Sequence, residues 1–145
     1  MKRYTLSTLL VTTALLLGGC ATQSITQPTA ASLGGPESRA VAFPVPPGEG
    51  KPREVNVLVD EPALKLVTIV LRGGTVLPTH HSKVPVTIMA LTGSGTITAG
   101  TKRLRLDPAH AVVLAAGVAH AVEPDAGADL VLLIHHLGRA EPDHH

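Results

Sequence analysis

Two stretches decide how this chain folds: Leu77-Pro78-Thr79-His80-His81-Ser82-Lys83-Val84-Pro85-Val86-Thr87-Ile88-Met89-Ala90-Leu91-Thr92-Gly93, and Leu106-Asp107-Pro108-Ala109-His110-Ala111-Val112-Val113-Leu114-Ala115-Ala116-Gly117-Val118-Ala119-His120. Each sets a histidine beside a short run of branched aliphatic residues and marks its bend with glycine. Outward from them, short segments rich in Val, Ile, Leu and Thr read as strands: Glu54–Asp60, Lys65–Leu71, Pro85–Leu91, Gly95–Ala99, Lys102–Leu106, Ala111–Leu114, Ala119–Glu123 and Leu130–His135. Turn signals separate them at Gly73-Gly74, Gly93-Ser94-Gly95, Gly100, Asp107-Pro108, Gly117 and Asp125-Ala126-Gly127. No segment beyond Pro52 carries a clear helical period. Short strands at close, regular spacing predict a sandwich or closed barrel, and closure removes the free edges of so apolar a set. With one phenylalanine and no tryptophan, the core must be filled by small aliphatics, which leaves few walls for stacking a flat ligand.

The two stretches resemble the two motifs of the cupin superfamily, most clearly at Leu91-Thr92-Gly93 and Gly117-Val118-Ala119-His120-Ala121-Val122, and the similarity runs from about Val67 to Leu137. The resemblance implies an all-β double-stranded β-helix, or jelly-roll barrel. In metal-binding cupins, two His and a Glu of the first motif and a His of the second hold a divalent ion. By that resemblance His80 falls on the first histidine position and His120 on the last, while Ser82 and Val86 stand where a His and a Glu are expected. Ala109-His110 and Ala115 also depart from the pattern, which usually has Gly-Asp and a Pro there. The implied cofactor is one divalent metal (Fe, Mn, Ni, Cu or Zn) held by His80 and His120, or none.

Side-chain alternation along a strand points His81 opposite to His80 and Ser82, unless a bulge turns it inward. His81 and His110 otherwise read as exposed loop residues. One of His135 and His136, at the end of the last strand, must share the inward parity and is a replacement ligand candidate. Asp107, Asp125 and Asp129 sit beside turns, where aspartate is usually structural. Glu123 falls on the opposite face of its strand from His120.

The N-terminus reads differently. Lys2 and Arg3 precede an uncharged apolar run, Leu6 to Leu17, and Gly18-Gly19 supply a small-residue cleavage zone, so 1–19 is an export signal. The run is too short for a permanent membrane span. Cys20, the single cysteine, follows directly and resembles the acylated cysteine of a bacterial lipobox; lipid on Cys20 would tether the protein to a membrane. Ala21 in place of Asp points by the same resemblance to the periplasmic face of the outer membrane, in an organism that has one. From 20 to 50, Thr, Gln, Ser, Gly and Pro dominate and read as a flexible tether, with Val41 to Pro47 able to lie on the barrel and Phe43 packed there. The barrel is expected over 51–140, with a polar tail over 141–145 that ends in His144 and His145.

Without the two charges of Lys2 and Arg3, the formal net charge of +1 becomes −1, and Phe43 is the sole aromatic side chain after the signal. Nucleic-acid binding, which needs a basic footprint and stacking platforms, is thereby disfavoured. A disulfide framework is ruled out by the lone cysteine. No nucleophile elbow, phosphate loop or zinc-protease motif is present. Three functions fit: a small-molecule-binding module on a membrane anchor, a metal-dependent oxygenase- or isomerase-like enzyme, and a structural envelope lipoprotein. A homodimer paired through the strand-rich Glu54–Leu71 region is also expected.

Overall fold

The structure, a computed structural model, describes residues 33–36, 38–43 and 48–138; the signal segment, Cys20, His144 and His145 lie outside them. Among the described residues there are nine strands and no helix: β1 Arg53–Asp60, β2 Leu64–Leu71, β3 Leu77–His80, β4 Val86–Thr92, β5 Gly95–Ala99, β6 Lys102–Leu106, β7 Ala111–Leu114, β8 His120–Pro124 and β9 Leu130–Leu137. They form a five-stranded sheet in the order β1-β2-β9-β4-β7 and a four-stranded sheet in the order β3-β8-β5-β6, with every pair antiparallel. Chain-adjacent strands are repeatedly sent to different sheets, so the two sheets face one another as a jelly roll.

Alternation along the strands decides what lies between the sheets. Register pairs Ile69 with Leu132, and Ile88 with Ile134, so these side chains share the inner face of the larger sheet. They meet Leu77, Ile97, Leu106 and Val122 of the smaller sheet in one core, where Leu71, Ile97, Leu106, Leu130, Leu132 and Val122 are fully buried. A second, smaller cluster of Val59, Leu66 and Leu133 occupies the outer face of the larger sheet.

The turns need glycine at particular points. Gly93, between β4 and β5, has φ +78°, and a Cβ there would collide with the Asp129 carbonyl oxygen. On the far side of the same turn region, Asp125 accepts from Ser94 Oγ at 2.6 Å and pairs with both terminal nitrogens of Arg105 at 2.9 Å, tying β6 to the end of β8.

Strand composition locates eight of the nine strands within a residue or two at each end. β3 is missed. It is four residues long, contains Pro78, and is interrupted by a register shift between Leu77 and His80. Proline removes a ladder donor and is tolerated at a sheet edge, which is where β3 lies. Phe43 is a correction of a different kind: it is 43% exposed, and among the described residues of that segment it is Val41 that packs against Val59, Leu66 and Leu133. Nearby, Glu61 accepts from the Gly34 amide at 2.7 Å and pairs with Arg39, so part of the stretch read as a tether is bonded to the barrel.

Leu132 is completely buried at the centre of the main core. Leu132→Ala should therefore lower the unfolding free energy by about 2–5 kcal/mol in denaturant titration, through lost transfer energy and the cavity left behind. A loss below about 1 kcal/mol would mean that the sheets do not close over this residue as described.

Candidate functional site

β3 and β8 run antiparallel, and His80 stands directly opposite His120 in their register. Opposed residues project to the same face of a sheet, and the two rings meet with centroids 4.4 Å apart at an interplanar angle of 54°. His120 is buried, with 3% of its surface exposed, while His80 is at the surface above it. The two imidazoles that the sequence places far apart are thus brought together.

Both rings are oriented by the same local device. His80 Nδ1 lies 2.8 Å from the Pro78 carbonyl oxygen, and His120 Nδ1 lies 2.9 Å from the Val118 carbonyl oxygen, each two residues upstream. A carbonyl only accepts, so each Nδ1 carries the proton and each neutral ring keeps its lone pair on Nε2.

The pair lines a cavity of about 100 Å³ between the sheets. Its walls are aliphatic, among them Ile69, Leu77, Ile88, Val122 and Leu132, and its polar lining is His80, His81, Ser82, His120 and His136. His81 is exposed, as expected of a loop residue, yet it borders the cavity; β3 ends at His80, so strand alternation no longer governs it. On β9, register with Lys65 and Val86 places His136 on the inner face, while His135 faces outward and meets Thr87 Oγ1 at 3.0 Å. The Nδ1 of His136 is buried and has no hydrogen-bond partner. His110 lies outside the site, exposed and bonded to Asp107 Oδ1 at 2.7 Å. Asp129 caps the Gly73 amide at 2.7 Å, and Glu123 is exposed on the far face of β8.

Burial, the largest influence, lowers the basicity of His120; the Val118 carbonyl opposes it, and the charges of His80 and His81 add to it. His136 is lowered in the same way, first by burial, with the Lys65 backbone opposing and the charges of Lys65 and His80 adding. Both rings are neutral at pH 7, with a lone pair available.

The donors can be tested against a metal ion. A catalytic zinc-type centre takes three protein ligands converging on one point. Among the described residues, no three His, Cys, Asp or Glu side chains are grouped to hold an ion. Ser82 and Val86 occupy the positions at which the motif pattern expects a second imidazole and a carboxylate. The residues present do not make a cupin-type metal centre.

Sheet order, closure and an inward histidine pair together define the cupin fold, a double-stranded β-helix. Three solved structures show the likeness. One is an RmlC-like cupin with a double-stranded β-helix fold from Methanocaldococcus jannaschii, 19% identical, covering 72% of this chain and 94% of its own, at a TM-score of 0.60. Another is a cupin superfamily protein from Desulfitobacterium hafniense, 14% identical, covering 64% and 84%, at 0.57. A third, described as a putative mannose-6-phosphate isomerase from Ralstonia eutropha, is 20% identical and covers 77% and 94%, at 0.53. No family model and no curated protein matches the chain.

The lowered basicity of His120 and His136 has a consequence for stability. Their ordinary value is 6.5, so below it the unfolded chain takes up protons that the folded chain refuses. Their contribution is fully present above about pH 6.5 and is lost as pH falls toward the lower folded values. The melting temperature should drop between about pH 7 and pH 5, and His120→Gln should flatten that slope. Asp107 and Asp125, held low chiefly by His110 and Arg105 respectively, act in a more acidic window below their ordinary 3.8. A melting temperature unchanged from pH 7 to pH 5 would remove the buried neutral pair.

Proposed function

We propose that this chain is a cell-envelope lipoprotein whose cupin barrel holds a small, largely aliphatic molecule without transforming it. The observation that carries the reading is the cavity of about 100 Å³, walled by branched aliphatics and edged by the His80–His120 pair. An engineered cavity of roughly 150 Å³ accepts benzene, so this one suits a body of about four or five heavy atoms. Its lining includes no carboxylate and no basic residue other than histidine. That is the composition of a binding pocket with one polar end.

The anchor belongs to the same proposal and rests on sequence. Lys2, Arg3, the apolar run and Gly18-Gly19 lead to Cys20 in the order that a lipoprotein signal requires. Acyl chains on Cys20 hold the protein at the membrane by burying their methylenes, and the Thr-, Ser- and Pro-rich stretch that follows spaces the barrel from the surface. Ala21 favours the periplasmic face of the outer membrane. Cys20→Ser should abolish incorporation of labelled palmitate and shift the protein out of the membrane fraction or leave it uncleaved. Wild-type protein recovered free of lipid, with an intact Cys20 thiol, would end this part of the reading.

The rival reading is a metal-dependent oxygenase- or isomerase-like enzyme built on His80 and His120. It is decided by elemental analysis of the full chain with His144 and His145 replaced by alanine, so that the tail cannot collect stray ions. Substoichiometric Fe, Mn, Ni, Cu and Zn is expected. Near-stoichiometric metal that disappears in both His80→Ala and His120→Ala would overturn the non-catalytic proposal.

A further inference from the structure

Every imidazole whose ring is fixed along this cavity offers an acceptor. His80 and His120 spend their Nδ1 protons on the Pro78 and Val118 carbonyls, which leaves Nε2 as the lone-pair nitrogen of each. His136 adds a buried ring nitrogen to the same lining: its Nδ1 is sealed from solvent and has no hydrogen-bond partner. A buried polar atom without a partner is costly unless something arrives to satisfy it. Ser82 complements the set. Its Oγ accepts from the Val84 amide at 3.2 Å, and its O–H still has a proton to give.

The three imidazoles are not grouped as an ion requires, yet all belong to one lining. Charged organic heads suit that lining poorly. A carboxylate only accepts, and beside Ser82 it would face the Nε2 lone pairs of His80 and His120. An ammonium donates, but no carboxylate of the lining would compensate its buried charge. A hydroxyl does both jobs at once, donating to an imidazole and accepting from Ser82.

We infer that the cavity takes a small neutral alcohol, its aliphatic body against Ile88 and Leu132 and its hydroxyl held between Ser82 and the imidazole set, with His136 as the third member of that set. The inference rests on the small-molecule reading above and names the ligand class for it. His136 also lines the neighbouring polar cleft with Ser82 and Lys65, so it stands between the cavity and solvent. Asp60, Glu61, Lys65 and Lys83 line that cleft with it; Lys65 pairs with Asp60 at 3.6 Å, and Glu61 is held by Arg39.

The test uses the full chain in lipid nanodiscs, carrying labelled Ile and Leu methyl groups, and three probes that share an isobutyl-type body: isobutanol, isobutyrate and isobutylamine. Isobutanol should shift the Ile88 and Leu132 methyl signals saturably. The acid and the amine should require at least about tenfold higher concentrations. His136→Leu and Ser82→Ala should each weaken isobutanol by about three- to tenfold while leaving the rest of the methyl spectrum folded. Equal or tighter binding of the acid or the amine overturns the alcohol class and leaves the small-molecule reading standing. So does unchanged isobutanol affinity in both variants. Stoichiometric zinc uptake that blocks isobutanol would assign the lone pairs to a metal and overturn the inference. Failure of all three probes to shift the methyls saturably would bring down the small-molecule reading itself.

Discussion

The space between the two sheets has to be filled without large rings, and much else follows from that. Here the described core consists of Leu, Ile, Val and Ala. Such side chains close tightly around Leu130, Leu132 and Ile97 in the middle of the barrel, each of which is completely buried. Toward the end where β3 meets β8 they do not reach across, and the gap they leave is the cavity. What lines that end is imidazole and hydroxyl, because the chain has put His80, Ser82, His120 and His136 at the inward positions nearest the rim. The small aliphatics that close the middle of the barrel thus leave, at one end, the cavity on which the proposed binding rests.

The strands with alternating aliphatics were legible because half-buried strands must alternate, and β4 shows it directly, with Val86, Ile88 and Ala90 buried between partly exposed neighbours. His120 was legible through the resemblance of Gly117-Val118-Ala119-His120-Ala121-Val122 to the second cupin motif, and strand alternation with buried Val122 puts it on the inner face. β3 was not. Four residues with a proline and three exposed side chains carry no period to detect, and the strand exists only because β8 offers it an edge to pair with. Phe43 misleads for the opposite reason. A lone aromatic looks like an anchor, but burial is decided by what the neighbouring surface can accommodate, and the shallow cluster of Val59, Leu66 and Leu133 takes the smaller Val41.

His136 is the part of the site that residue pattern could only narrow to two. Adjacent histidines at a strand end present one imidazole to each face, and nothing in their own sequence says which. The answer comes from tertiary register: β9 lies between β2 and β4, and both neighbours align His136 with inward residues. Once it is inward, its environment makes it more than a packed side chain. Burial, with the nearby positive charge of Lys65 adding to it, lowers the basicity of the ring, while its Nδ1 is sealed from water without a protein partner.

Val86 and Ser82 stand where the motif pattern leads one to expect a carboxylate and a second imidazole, and they give the rim a different chemistry. A metal centre draws its lone pairs to one point and offsets their mutual repulsion with the ion's own charge. Without the charge and without the full donor set, the arrangement that keeps buried imidazoles neutral is desolvation, and that is the largest influence on both His120 and His136. Neutral imidazoles that cannot share an ion still need donors, and Ser82 supplies the one hydroxyl of the lining. On the proposed reading, Ser82 is the group that orients a molecule instead of an ion. The cavity's size then limits that molecule to a few heavy atoms, too few for a sugar phosphate or a flat aromatic ring system.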